Sequence, residues 1–277
     1  MRRLAAALAL AALPLGAAQA QFDHSHAAWT ALLTKNVVLI DGGKASQVRY
    51  AEFAKERAQL RAYLASLSKV TEAEFAGWSK PQQMAFLINA YNAFTVEKIL
   101  TRYPDLKSIW DFGNIIFGNP FKDRFFTLLG KPAHLDRIEH ETLRVKGVYD
   151  EPRVHYAVNC ASISCPMLRE EAYVAERLDA QLEEQARRFL GDRSRNRFNP
   201  AARALEVSKI FDWFSPDWES GYRGFAGATP PIQSRAAYFA RYAKLLADAP
   251  ADQKLVEEGK APIRFLEYDW SLNDVVR

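Results

Sequence analysis

Phe86-Leu87-Ile88-Asn89-Ala90-Tyr91-Asn92-Ala93-Phe94-Thr95 is apolar on nearly every side when wound as a helix, yet it carries two amides three residues apart and hence on one face. A helix without a polar face belongs in a core, so this stretch predicts a central helix around which the rest of the chain packs. Its start is written just upstream, where Ser79-x-x-Gln82 has the form of a capping box with Pro81 in the first turn, and Pro104 sets a stop after about Arg102. A buried amide group left unpaired costs about 1–3 kcal/mol. Asn89 and Asn92 are therefore expected either to pin loops through their backbone or to serve a site, orienting a catalytic His or holding an oxyanion.

Outward from this helix, residues 50–67 keep helical spacing through Phe53, Leu60, Leu64 and Leu67, and Thr71-x-x-Glu74 announces another helix. Gly130-Lys131-Pro132 reads as a turn between two short strands, and Asp136-x-x-Glu139 as the opening of a short helix to about Val145, with Glu139 in a capping role. Residues 153–159 alternate like a strand, with Val154, Tyr156 and Val158 on one face and Arg153, His155 and Asn159 on the other. Beyond them come an amphipathic helix over 173–190, a hairpin around Asn199-Pro200, a helix over 234–247 and a last strand over 263–268. His24 and His26 fall in a polar stretch that reads as a frayed, solvated terminus. The expected fold class is α+β, a single helix-rich domain with a small, mostly antiparallel sheet, its domain proper covering 46–277 after an N-terminal segment, 21–45.

The 277 residues are 49% hydrophobic and 25% charged, which excludes a disordered or fibrous chain. Met1-Arg2-Arg3, an apolar run over 4–15 and Ala18-Gln19-Ala20 make residues 1–20 read as a secretory signal peptide cut after Ala20, so a periplasmic or secreted location is expected. Loss of Arg2 and Arg3 with that segment lowers the formal net charge from +4 to +2. With no Lys/Arg block in the chain, no nucleic-acid partner is indicated, and no later stretch is long and apolar enough for an integral membrane segment.

The chemistry concentrates in Val154-His155-Tyr156-Ala157-Val158-Asn159-Cys160-Ala161-Ser162-Ile163-Ser164-Cys165-Pro166. A small-residue loop carrying a thiol can present a nucleophile, provided that neighbours lower the thiol pKa. His155 and His140 are the candidate bases, the latter from Leu135-Asp136-Arg137-Ile138-Glu139-His140-Glu141-Thr142-Leu143-Arg144, in which Arg144 lies one turn on. Cys160 and Cys165 are also close enough in sequence for a disulfide closing a small loop, or could join His140 and His155 around zinc, although the spacing matches no common zinc pattern. Phe211, Trp213, Phe214, Trp218, Tyr222 and Phe225 form an aromatic cluster that reads first as core and second as a substrate groove.

Together, the segments 88–95, 135–144 and 154–166 resemble the domain of unknown function 547 (DUF547) family, and Lys209-Ile210-Phe211-x-Trp213-Phe214 and Tyr268-Asp269-Trp270-Ser271-Leu272 are similar to its closing motifs. Cytosolic plant members have a similar Asn-Cys…Ser-Cys-Pro segment, where a disulfide needed only for stability would be pointless, so the resemblance favours a thiol site. By analogy alone, such a site beside an Asn-bearing helix is compatible with a papain-like or transglutaminase-like fold. The leading expectation is a thiol-dependent, cysteine-peptidase-like amide hydrolase or acyl transferase acting on a peptide or small molecule without a cofactor. Cys160 would be nucleophile, His140 or His155 base, Asn89 or Asn92 orienter or oxyanion donor, and Glu139, Arg144 and Asn159 supports. The alternatives are a non-catalytic peptide- or ligand-binding module with a structural Cys160–Cys165 disulfide, and a zinc-dependent hydrolase.

Overall fold

The computed structural model describes residues 21–113, 118–219 and 231–275; residues 1–20, expected to be a signal peptide, and Phe117, Tyr222 and Phe225 lie outside the described residues. The chain begins with α1 (Ala27–Asn36) and a hairpin of β1 (Val37–Ile40) with β2 (Ala45–Val48). Helices α2 (Tyr50–Lys55), α3 (Arg57–Lys69) and α4 (Glu72–Ala76) then lead into the long α5 (Lys80–Leu100). A second hairpin, β3 (Phe126–Leu128) with β4 (Lys131–Ala133), precedes α6 (Leu135–Ile138) and a π-helical turn over Glu139–Leu143. After a 3-10 turn at Pro152–Tyr156 come α7 (Leu178–Gly191), β5 (Arg197–Asn199), β6 (Ala204–Val207), α8 (Ile210–Trp213), α9 (Arg235–Ala240), α10 (Ala243–Leu246), α11 (Pro250–Glu257) and β7 (Ile263–Phe265).

The fold is α+β and rich in helix, as the sequence predicts, but among the described residues its strands form three separate small sheets. Among the described strands β6 pairs with β7 in parallel and the other strand pairs are antiparallel, and an isolated parallel bridge joins Val48 to Asp274. The capping box closes as expected: Ser79 Oγ accepts from Gln82 N–H while Gln82 Oε1 accepts from Ser79 N–H at 3.0 Å. The expected helix over 50–67 is broken at Glu56 into α2 and α3. α5 is buried from Gln83 to Val96 without interruption and is the axis of the larger core, against which Trp29, Leu33, Phe53, Leu60 and Leu67 pack.

A second core gathers Phe189, Phe198, Val207, Phe211, Trp218 and Phe239 around the β5–β6–β7 sheet. α7 joins the two, placing Leu178 and Leu182 in the first core and Ala186, Phe189 and Leu190 in the second. The helix expected over 173–190 thus begins only at Leu178, after a 3-10 turn at Ala175–Arg177, and bridges two cores.

Three expectations need correction. Residues 153–159 are not a strand: Pro152 and a Glu151 side-chain cap on Arg153 N–H start a 3-10 turn instead. Every residue from Arg153 to Asn159 is buried, so the apparent two-sided alternation is a segment caught between two cores, with Val154 and Val158 in the first and Tyr156 in the second. The N-cap of α6 is His134, whose Nδ1 accepts from Arg137 N–H at 3.0 Å, and not Asp136; Glu139 is the C-cap residue of α6 and opens the π turn. His26 is not frayed: it is 1% exposed, its Nδ1 lies 2.7 Å from Tyr63 Oη, and burial pushes its pKa down to about 4. Just ahead of α1, Asp23 takes the Ser25 and Ala27 N–H groups on either side of His26.

Asn89 holds a loop on α5, donating to Tyr173 C=O at 2.8 Å and accepting from Tyr173 N–H at 3.0 Å. Both of those backbone groups are buried, so Asn89→Ala should cost about 3 kcal/mol of unfolding free energy in urea titration.

Candidate active site

Where the two cores meet, a cavity of about 340 Å³ opens, lined by Tyr91, Trp110, Asn119, Phe121, Asp136, Glu139, His140, His155, Val158, Cys160, Cys165, Pro166, Ile210, Trp213, Phe214, Tyr268 and Trp270. The structure thus brings Cys160, both histidines and Glu139 to one space. It keeps Asn89 and Asn92 out of it. Asn92 donates to Ala157 C=O at 2.9 Å and accepts from Asn159 N–H at 2.8 Å, so it fixes the chain that leads into the thiol loop.

Asn159 builds the loop itself. Its Nδ2 donates to Pro166 C=O at 2.7 Å and its Oδ1 accepts from Ala161 N–H at 3.0 Å, tying together both ends of the segment that carries the cysteines. Ala161, just after Cys160, is held at φ 63°, a left-handed conformation that costs a non-glycine residue about 1 kcal/mol or more.

Both cysteines are free thiols, Cys160 half-buried and Cys165 buried, so the expected disulfide is not formed. Cys165 Sγ instead accepts from Cys160 N–H at 3.0 Å, a position set by the turn that Asn159 closes. Cys160 Sγ lies 3.2 Å from Ser162 Oγ and 3.3 Å from Tyr268 Oη. Burial works to raise the Cys160 pKa, but the hydrogen bonds of Cys165, Ser162 and Tyr268 outweigh it and hold the thiol below its ordinary value. Burial and the neighbouring Cys160 push Cys165 well up. Of the two thiols, Cys160 is the one prepared to ionise.

His155 owes its place to the 3-10 turn, whose short rise per residue brings it to the same cavity as Cys160, where an extended strand would have carried it away. Its Nε2 is 2.7 Å from Asp217 Oδ2. Asp217 also accepts from Arg144 Nε at 2.6 Å and Nη2 at 3.3 Å. Burial opposes ionisation of Asp217, but His155 and Arg144 overcome it and bring its pKa down to about 2. An ionised Asp217 accepts, so His155 Nε2 carries the proton and Nδ1 the lone pair. Burial holds the His155 pKa below the ordinary value against the pull of Asp217, so the ring is neutral at pH 7. Phe214 stacks on it with centroids 4.5 Å apart.

His140 is held differently. Arg144 Nη1 lies 2.6 Å from His140 Nδ1, and a guanidinium has only donors, so that nitrogen accepts while Nε2 faces Asp136 Oδ1 at 3.3 Å. With both nitrogens engaged, His140 is the weaker candidate base. Glu139 and His140 reach the cavity from the π turn, closed by Arg144 N–H to Glu139 C=O at 3.0 Å; such turns recur at functional sites.

The zinc expectation is corrected: among the described residues no group of three or more His, Cys, Asp or Glu side chains is arranged to hold a metal ion. Each expected ligand is turned elsewhere, His140 to Arg144, His155 to Asp217 and Cys165 to backbone. No hydrogen bond joins Cys160 to either imidazole; its partners are Ser162 and Tyr268.

Sequence reasoning missed Asp217 and Tyr268, and it read Arg144 only as a possible support. The aromatic cluster divides: Phe211 and Trp218 are core, while Trp213 and Phe214 line the cavity. No helix of the described residues is long and apolar enough to cross a membrane.

Residues 75–190 match the model of a family described as protein of unknown function, DUF547. The span includes the central-helix, Glu139-His140 and Cys160 motifs; the 209–214 and 268–272 segments lie outside it. No curated protein and no solved structure matches the chain.

The folded pKa of Asp217 lies below its ordinary 3.8, so its bonds to His155 and Arg144 contribute stability that is full above about pH 4 and is lost as pH falls toward about 2. Urea titrations should therefore show wild type more stable than Asp217→Asn at pH 6, with the gap narrowing steadily between pH 4 and pH 2.

Proposed function

We propose that the cavity is the active site of a thiol-dependent amide hydrolase or acyl transferase acting on a peptide or small molecule. The observation that carries this reading is the meeting of a pKa-lowered Cys160 with the oriented, neutral imidazole of His155 in one cavity. As Cys160 Sγ bonds to the substrate carbonyl carbon, its proton passes to His155 Nδ1. The bond from carbon to the leaving nitrogen then breaks, and that nitrogen takes the proton from His155. Water or an amine attacks the resulting thioester, giving its proton to His155, and Cys160 leaves and recovers it. Asp217 stabilises the imidazolium formed in between, as an orienting carboxylate does in hydrolytic triads. Tyr268, kept as a neutral phenol by burial, is a donor beside the reacting sulfur.

Export of the chain, with cleavage after Ala20, belongs to the same proposal and is supported by the basic start, apolar run and small-residue site of residues 1–20.

The absence of a direct hydrogen bond from Cys160 to an imidazole favours a second reading, a binding module in which the thiols only shape the pocket. Alkylation separates the two. On the proposed reading, iodoacetamide modifies Cys160 alone, with a rate-versus-pH midpoint below that of a free thiol, and Tyr268→Phe moves the midpoint upward. With p-nitrophenyl acetate, mass spectrometry should find one acetyl group on Cys160, and none in Cys160→Ala. A rate profile matching that of a free thiol, together with no acetyl adduct, would establish the binding module instead.

A further inference from the structure

Taking the cavity to be the binding site proposed above, its remaining side chains speak to what it binds. Glu139 is 9% exposed and lines the cavity, with Oε1 4.0 Å from His155 Nδ1. Since His155 gives its only proton, on Nε2, to Asp217, this is acceptor facing acceptor. Among the described residues no lysine or arginine nitrogen lies within 4.0 Å of the Glu139 carboxylate; Arg144 directs its donors to Asp217 and His140. Asp136 supplies a second carboxylate to the lining, its Oδ2 3.8 Å from Lys122 Nζ on a side chain that is 63% exposed. Among the described residues, none lining the cavity is a lysine or an arginine.

The rest of the wall is aromatic. Trp213 and Trp270 stack with centroids 5.8 Å apart, and Trp213 is 42% exposed. Indole faces attract cations and apolar groups alike. A carboxylate ligand would meet like charge here with no lysine or arginine among the described lining residues to receive it, whereas an ammonium can donate to two acceptors 4.0 Å apart while sitting about 2.8 Å from each.

We infer that the cavity binds a primary amine attached to an apolar or aromatic group, the amine donating to Glu139 Oε1 and His155 Nδ1 and the apolar group lying against Trp213 and Trp270. This places the amine side of the amide that Cys160 cleaves or forms next to the imidazole that must exchange a proton with it.

Calorimetric titration of the Cys160→Ala protein at pH 7 with benzylamine, benzyl alcohol and benzoate tests the inference. Benzylamine should bind at least about tenfold more tightly than benzyl alcohol, and benzoate more weakly than either. Glu139→Gln on the same background should remove that preference while leaving benzyl alcohol binding unchanged, with circular dichroism confirming the fold. Equal binding of benzylamine and benzyl alcohol, binding led by benzoate, or no binding of any of the three overturns the inference. The ligand comparison stands even if Glu139→Gln fails to fold. Because the tested protein lacks the thiol, an inert Cys160 in the alkylation experiment leaves this result untouched, and failure here leaves the thiol chemistry untouched.

Discussion

A non-helical, non-strand chain running through the middle of a protein must find a partner for every backbone N–H and C=O it buries, and here two side chains meet much of that demand. Asn92 takes Ala157 C=O and Asn159 N–H; Asn159 takes Pro166 C=O and Ala161 N–H. The second amide is itself met by Asn273, which also accepts from Tyr50 Oη at 2.8 Å. A line of polar groups thus passes from the central helix to the thiol loop, and on to residues more than a hundred positions away. The apolar helix can afford its amides because each one replaces a rung that regular secondary structure would have supplied.

The same economy governs the charges. Arg144 lies over the Phe214 ring at 4.4 Å and serves Asp217 and His140 at once, while Phe214 stacks on His155. A carboxylate so far out of water would be costly alone; with a guanidinium and an imidazole against it, it fixes the tautomer of one histidine while the guanidinium fixes the other. Two histidines fifteen positions apart in sequence are thereby given different states, one with an open lone pair and one without.

What could be read from the sequence was local. The capping box at Ser79, the turn at Gly130, the hairpin at Asn199-Pro200 and the burial of α5 are each set by neighbours within a few residues, and each is where the pattern put it. The thiol loop and both histidines were legible because they share one short span. Asp217 was not, since it is the single acid in Phe214-Ser215-Pro216-Asp217-Trp218, a run whose aromatics pointed to packing, and its partner His155 is 62 positions away. Tyr268 is 108 positions from Cys160 and equally silent. The strand expected at 153–159 shows the limit of periodicity: alternation signals a sheet only when one face meets water, and here neither does.

The strap over 268–275 crosses the thiol loop, with Ile163 N–H on Ser271 C=O, Asn273 N–H on Ala161 C=O, and Val48 N–H on Asn273 C=O. It therefore stitches the β1–β2 hairpin to Cys160 using a segment synthesised long after both. The hydrogen bonds around the Cys160 sulfur thus depend on a pairing across more than a hundred positions of chain, Tyr268 meeting both Cys160 and Ser162.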